Sequence, residues 1–213
     1  MPKAGLYALL AILGFALLFA FLPSGGRADA RTGAELSGVK FRMYPSRDED
    51  AVWSFAAQRV TSDPVAGQTQ LSGLSGGQRL LRERDPKTKA LTGRETLDAR
   101  LDTPELSIDD QDTMTTRQAR ITLVKECAGI DLKGTDAQPV TIEQGRGFSA
   151  PVAEIRSPFL SGHAEKLQMS FNFDLNDMDN DRSSTRIDTK PAKICRDGQL
   201  VPNPRAAARS KEN

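Results

Sequence analysis

Trp53-Ser54-Phe55-Ala56-Ala57-Gln58-Arg59-Val60 opens on an apolar residue and a hydroxyl and closes on a charged residue and a branched aliphatic. The same eight-residue pattern returns as Met114-Thr-Thr-Arg-Gln-Ala-Arg-Ile121, Phe148-Ser-Ala-Pro-Val-Ala-Glu-Ile155 and Leu160-Ser-Gly-His-Ala-Glu-Lys-Leu167. Its first and eighth positions are both apolar. Seven residues apart, they would share a helix face but fall on opposite faces of a flat strand. Pro151 and Gly162 inside two of the copies weigh against a helix. The reading that remains is a strand with a corner, in which a bend or β-bulge at the small central residues resets the alternation. A repeated strand-length phrase also favours an architecture that presents one surface several times, a scaffold or carrier, over a single reaction centre.

The sequence around these copies supports strands. Short apolar runs follow one another at 97–101, 105–108, 119–124, 129–132, 140–143, 152–155 and 166–175, with turn residues between them, the signature of an all-β sandwich, barrel or roll. The last run is the clearest: Leu167, Met169, Phe171, Phe173 and Leu175 are apolar at every second position, which predicts one strand with an apolar face. The tract between Thr61 and Arg94 is rich in Ser, Gly, Gln and charge, with Asp63-Pro64 and Asp85-Pro86 as turn signals, and its Gly- and Gln-rich part, 67–94, reads as an insertion.

From Ala4 to Leu22 the chain carries no charge, and Lys3 precedes it. As a helix this stretch spans roughly 28 Å at about 1.5 Å per residue, close to the thickness of a bilayer core. Ala28-Asp29-Ala30 also fits a small-x-small cleavage site. An N-terminal transmembrane helix and a cleaved signal both remain open, and both place the rest of the chain outside the cytoplasm. The expected organisation is an anchor or signal over 1–30, a linker over 31–39, an extracytoplasmic β-domain over 40–200 and a basic tail over 201–213. Cys127 and Cys195 are the only cysteines, and an oxidising compartment makes them a candidate disulfide. With 29 basic against 28 acidic residues, the charge balance argues against a nucleic-acid partner.

Catalytic patterns are present but lack their settings. Gly73-Leu74-Ser75-Gly76-Gly77 matches a nucleophile elbow and precedes His163, the only histidine, yet no strand-turn-helix context surrounds it. Gly145-Arg-Gly-Phe-Ser-Ala150 loosely matches a dinucleotide loop, but Pro151 follows where a helix should open, so it reads as a hairpin turn. Asp177, Asp179, Asp181 and Asp188 form a weak calcium candidate, with Arg182 where the loop needs Gly. No cofactor is expected.

A Trp-x-Phe-x-Ala strand after an N-terminal anchor, then Leu101-Asp-Thr-Pro-Glu-Leu-Ser-Ile-Asp109, Met114-x-Thr-x-x-Ala-x-Ile121 and Ile130-Asp-Leu-Lys-Gly134, resembles the OstA-like proteins of lipopolysaccharide export, of the membrane-anchored LptC and soluble LptA types. The resemblance covers roughly 53–175. It implies an open antiparallel β-roll, or jelly roll, enclosing an apolar groove for acyl chains, with Trp53, Phe55, Ile121, Leu167, Met169, Phe171 and Phe173 as groove candidates. It further implies a lipid or glycolipid ligand, other OstA-like rolls stacked end to end, and an inner-membrane transport ATPase as partners. The alternative is a structural or adhesive envelope protein whose β-repeats stack around a filled core, with no lipid.

Overall fold

In the computed structural model, which describes residues 34–204, the chain is all-β and antiparallel. Its strands are β1 (Ala34–Met43), β2 (Ala51–Asp63), β3 (Gln68–Arg84), β4 (Leu91–Asp102), β5 (Glu105–Ile108), β6 (Met114–Thr116), β7 (Gln118–Leu123), β8 (Ala128–Lys133), β9 (Val140–Glu143), β10 (Gly147–Arg156), β11 (Leu160–Met169), β12 (Leu175–Asp177), β13 (Ser184–Ile187), β14 (Lys193–Arg196) and β15 (Gln199–Pro202). No described helix is long and apolar enough to cross a membrane. The expected anchor or signal over 1–30 lies outside the described residues, as does most of the expected tail.

Pairing runs β3-β4-β7-β8-β10-β9-β6-β5 and returns to β3, which closes an eight-stranded antiparallel barrel. Strands β1 and β2 extend it beyond β3, and β11, β12 and β13 beyond β10. The registers show how this barrel is shaped. β2 pairs with β3 from Asp63↔Gln68 to Ala51↔Leu81 and so takes one whole edge, leaving β4 and β5 to follow one another along the other. β10 repeats the arrangement, with β11 along one edge and β8 and β9 in succession on the opposite one. The barrel is therefore two layers, β4-β7-β8 and β5-β6-β9, sharing the long strands β3 and β10.

The line between the layers is a crease that crosses every strand of the circuit and its extensions. On it lie Gly38, opposite Gln58 and Gly73, where the register is skipped, then Thr103-Pro104, Arg117, the 134–139 excursion, Pro151 and Lys166. Gly38, Gly73 and Lys166 have φ of 64°, 62° and 52°, the left-handed region that turns a strand. The backbone stitches the crease: Gly73 N donates to Pro104 O at 2.9 Å and Gly134 N to Arg117 O at 2.8 Å. Beside it, the buried Thr103 hydroxyl meets Glu105 O at 2.8 Å, Gln118 O at 2.8 Å and Thr116 Oγ1 at 3.0 Å.

Each copy of the recurring phrase crosses this crease. Inward residues are two apart within a layer and three apart across it: Ala57 to Val60, Thr116 to Ala119, Ala150 to Ala153 and Ala164 to Leu167 are all buried. The three-residue step lets positions 1 and 8 of the phrase face the same interior, so the corner expected from the sequence is observed.

Three expectations are corrected. Residues 34–43 are strand β1, so the linker over 31–39 does not extend past residue 33. The tract read as an insertion holds β3, at 17 residues the longest described strand. The 167–175 run is two strands: β11 ends at Met169, Phe173 takes φ 67°, and β12 folds back so that Leu175 pairs with Met169. Ser170 makes that turn, its Oγ accepting from Asn172 N and Asp174 N at 3.1 Å each.

The disulfide forms as expected. Cys127–Cys195 ties the separate β14-β15 hairpin to the β7-β8 turn across 68 residues. On a chain-entropy model a loop of that length is stabilised by about 4 kcal/mol.

Candidate functional site

All seven residues singled out as groove candidates point into the space between the layers. Trp53, Phe55 and Ile121 come from the layer that contains β4, β7 and β8, and Leu167, Met169, Phe171 and Phe173 from the end of β11 and its turn. Phe173 is half-buried and the other six are buried in one continuous core. Trp53 stacks on Phe55 with ring centroids 5.7 Å apart and meets the edge of Phe171 at 5.8 Å, so aromatic rings bridge the two layers. The interior is packed. Clefts of about 620 and 820 Å³ lie on the outer faces instead, one beside Gln70, Glu105 and Thr115, the other beside Asp102, Arg120 and Lys133.

The side of the interior opposite the crease is a mouth closed by polar side chains, most of which the sequence alone did not single out. The Trp53 indole N–H donates to Gln144 Oε1 at 2.9 Å, and Gln144 Nε2 donates to Asp112 O at 3.1 Å. From the β1-β2 loop, Ser46 N and Oγ reach Asp112 Oδ2 at 3.1 and 3.2 Å, and Arg47 reaches Gln111 at 2.8 Å. The loop belongs to one layer and its partners to the other, so these bonds hold the layers together.

Arg79 is the centre of this closure. It pairs with Trp53 and Ala99 across the strands, in an inward row otherwise occupied by Met43, Leu123 and Ala128, and is only 7% exposed. Its guanidinium bonds Asp98 on one side, bonds Asp48 at 2.6 Å on the other, and lies 4.4 Å from the centre of the Phe171 ring. Asp98 faces inward because β4 bulges: Arg79 pairs with Ala99 and Leu80 with Leu97, which leaves Asp98 as the extra residue. Periodicity could not find this site, since an inward arginine looks in sequence like an outward one. The available signal was the acidic run Asp48-Glu49-Asp50 together with Arg79, Arg82 and Arg84 in the tract after Gly77.

The motifs fare differently. Gly73–Gly77 lies within β3 and crosses the crease, while His163 sits on β11, five strand positions away along β3-β4-β7-β8-β10-β11, with Nδ1 2.8 Å from Glu154. They do not form a catalytic group. Gly145–Gly147 is the β9-β10 hairpin turn, as read. The described residues contain no group of three or more His, Cys, Asp or Glu able to hold a metal, so Asp177, Asp179, Asp181 and Asp188 are not gathered into a cage. Asp179 bonds Lys166 at 2.9 Å, and that bond holds its carboxyl below the usual value.

The two ends of the sheet differ. β11 is covered on its outer edge by β13 at Leu160–His163 and by β12 at Gln168–Met169, and Asp179 N and Ser183 Oγ bond Glu165 between them. β1 pairs only with β2 among the described residues, and its inward Leu36 is 54% exposed beside half-buried Val39 and Phe41. In comparison with known proteins, no protein-family model and no curated protein matches the chain.

Proposed function

We propose that this chain is a non-enzymatic extracytoplasmic carrier or bridge component that shields acyl chains during export of lipopolysaccharide or another glycolipid, an OstA-like β-roll in a shut form. The observation that carries the reading is an apolar face continuous over both layers that reaches, at Leu36, Val39 and Phe41, a strand edge unpaired among the described residues. Moving an acyl chain through water costs about 0.8 kcal/mol per exposed CH₂, so transfer needs continuous apolar cover and no chemical step. A free edge strand suits docking of a second roll, and an inner-membrane ATPase would drive loading.

The dense packing between the layers favours a second reading, a structural envelope protein with a filled core. Photo-crosslinking residues placed at Leu36, Phe41, Trp53 and Phe171 in cells separate the two. Lipid adducts at the inward positions are the expected result. Protein adducts at Leu36 with no lipid at any of the four positions would leave only the structural reading.

A further inference from the structure

The outer faces of the two layers carry different chemistry. Across β4, β7, β8, β10 and β11 one outward row reads Asp102, Arg120, Asp131, Glu154 and His163. It is ionic and largely paired within itself, with Arg120 bonded to Asp131 and His163 2.8 Å from Glu154.

The layer that contains β5, β6 and β9 presents a row without charge. The registers carry it straight across seven strands: Thr61 on β2 opposes Gln70, Gln70 opposes Ser107, Ser107 opposes Thr115, Thr115 opposes Thr141, Thr141 opposes Ser149, and Ser149 opposes Gln168 on β11. Each of these side chains faces outward, because its neighbour along the strand, such as Leu71, Met114 or Ile142, is buried in the core. At about 4.8 Å between strands, the row is roughly 29 Å long. None of its side chains bonds a protein group among the described residues. The ions beside it are held by one another: Arg117 pairs with Glu105 at 2.7 Å on the crease side, and Arg146 with Glu143 at 2.9 Å on the other. The row also lines two successive clefts. One of about 620 Å³ takes in Thr61, Gln70, Ser107 and Thr115, and one of about 250 Å³ takes in Thr141, Ser149 and Gln168.

This composition narrows the ligand. An acyl chain needs apolar cover, which the row does not offer. An anionic polymer needs unpaired cations, and the arginines flanking the row already hold carboxylates. A peptide that adds as a strand needs a sheet edge, whereas these residues lie on a face. Hydroxyls and amides both donate and accept, so they match a neutral polymer dense in hydroxyls, which can take the place of the waters that hydrate them. That polymer is a glycan. A straight row suits a straight chain of the cellulose type, whose repeat is close to the spacing between strands. With no aromatic ring on the row, each sugar is held weakly by its edge, and affinity grows with the number of sugars engaged.

We infer that the outward row from Thr61 to Gln168 is a binding track for an uncharged, extended glycan. The track lies outside the packed interior and needs no opening of the mouth, so it is independent of the carrier reading.

Cellohexaose and maltohexaose share sugar and length and differ in linkage, the first extended and the second coiled. Each would be titrated into the full chain and followed by calorimetry. Cellohexaose should bind at least tenfold more tightly than maltohexaose. Thr115→Val with Thr141→Val keeps the branched shape that suits a strand and removes only the hydroxyls. This double variant should weaken cellohexaose about tenfold with the melting temperature unchanged, and Ser149→Ala with Gln168→Ala should repeat the loss at the second cleft. Thr122→Val, on the outer face of the other layer, should bind as wild type does. Equal affinity for the two hexamers would overturn the extended chain as ligand. Binding that survives both double variants, or that falls as far in Thr122→Val, would overturn the row as its site. No binding of cellohexaose to the wild type would remove the track altogether and leave the carrier reading standing.

Discussion

The crease and the mouth close the same interior by different means. At the crease the two layers are joined by chain connectivity, left-handed residues and backbone bonds such as Gly73 N to Pro104 O, none of which can be exchanged for a ligand. At the mouth they are joined by side chains: an indole on an amide, a serine on an aspartate, an arginine between two carboxylates. Backbone bonds at a crease form with the fold and break only when it unfolds. Side-chain bonds can be replaced one by one by groups of similar chemistry, so a barrel built this way has a permanent spine and a releasable seam.

The largest expected effect tests the spine. Gly77 follows the crease on β3, and a Cβ there would lie against the Leu101 carbonyl oxygen, a backbone atom that no rotamer change can move. Gly77→Ala should therefore cost more than about 4 kcal/mol, among the severe single substitutions, and yield little folded protein. Gly73→Ala provides the contrast, since its Cβ would meet only the flexible Gln58 side chain; its φ of 62° is then the main penalty, about 1 kcal/mol. Chemical denaturation of both variants measures the difference. Equal stability of Gly77→Ala and wild type would show that the spine is not rigid there.

The seam should yield less. Arg79→Met fills much of the same volume but leaves Asp98, itself 5% exposed, without its main partner. Breaking a buried pair from one side costs about 3–5 kcal/mol. The comparison predicts that the loss is local: Trp53 emission should shift red and the β1-β2 loop should exchange its amide hydrogens faster, while amides along β7 and β8 remain protected. Uniform loss of protection would mean that the mouth is as integral as the crease.

The sequence disclosed the spine far better than the seam, and the reason is physical. A crease needs a phase slip in apolar spacing, which Trp53–Val60 and Phe148–Ile155 record in their residue types. β3 escaped notice because its inward positions are few and mixed, Leu71, Leu74, Gly77 and Arg79, so alternation fails along the longest strand. The opposite error arose at Leu167–Leu175, where Phe171 and Phe173 return over the core from a turn and imitate continued alternation. The seam joins residues distant in sequence, Trp53 with Gln144 and Arg79 with Asp98, through a bulge that local pattern does not announce.

The smallest effect concerns Glu126, in the β7-β8 turn beside the disulfide. Burial pushes its carboxyl above the ordinary value, and the nearby Asp98 carboxylate adds to the rise. The folded state thus prefers the protonated form. The stability gained from it is fully present below the ordinary carboxylate range and is lost as pH rises through the raised value. Glu126→Gln stays neutral throughout, so its melting temperature should match wild type at about pH 4, near the ordinary carboxylate value, and exceed it slightly at pH 7. Because Asp98 contributes to the rise, adding Asp98→Asn to both proteins should narrow the pH 7 gap between Glu126→Gln and its parent, coupling this turn to the Arg79 seam. Glu126→Gln melting below wild type at pH 7 would reverse the sign and disconnect the turn from the seam.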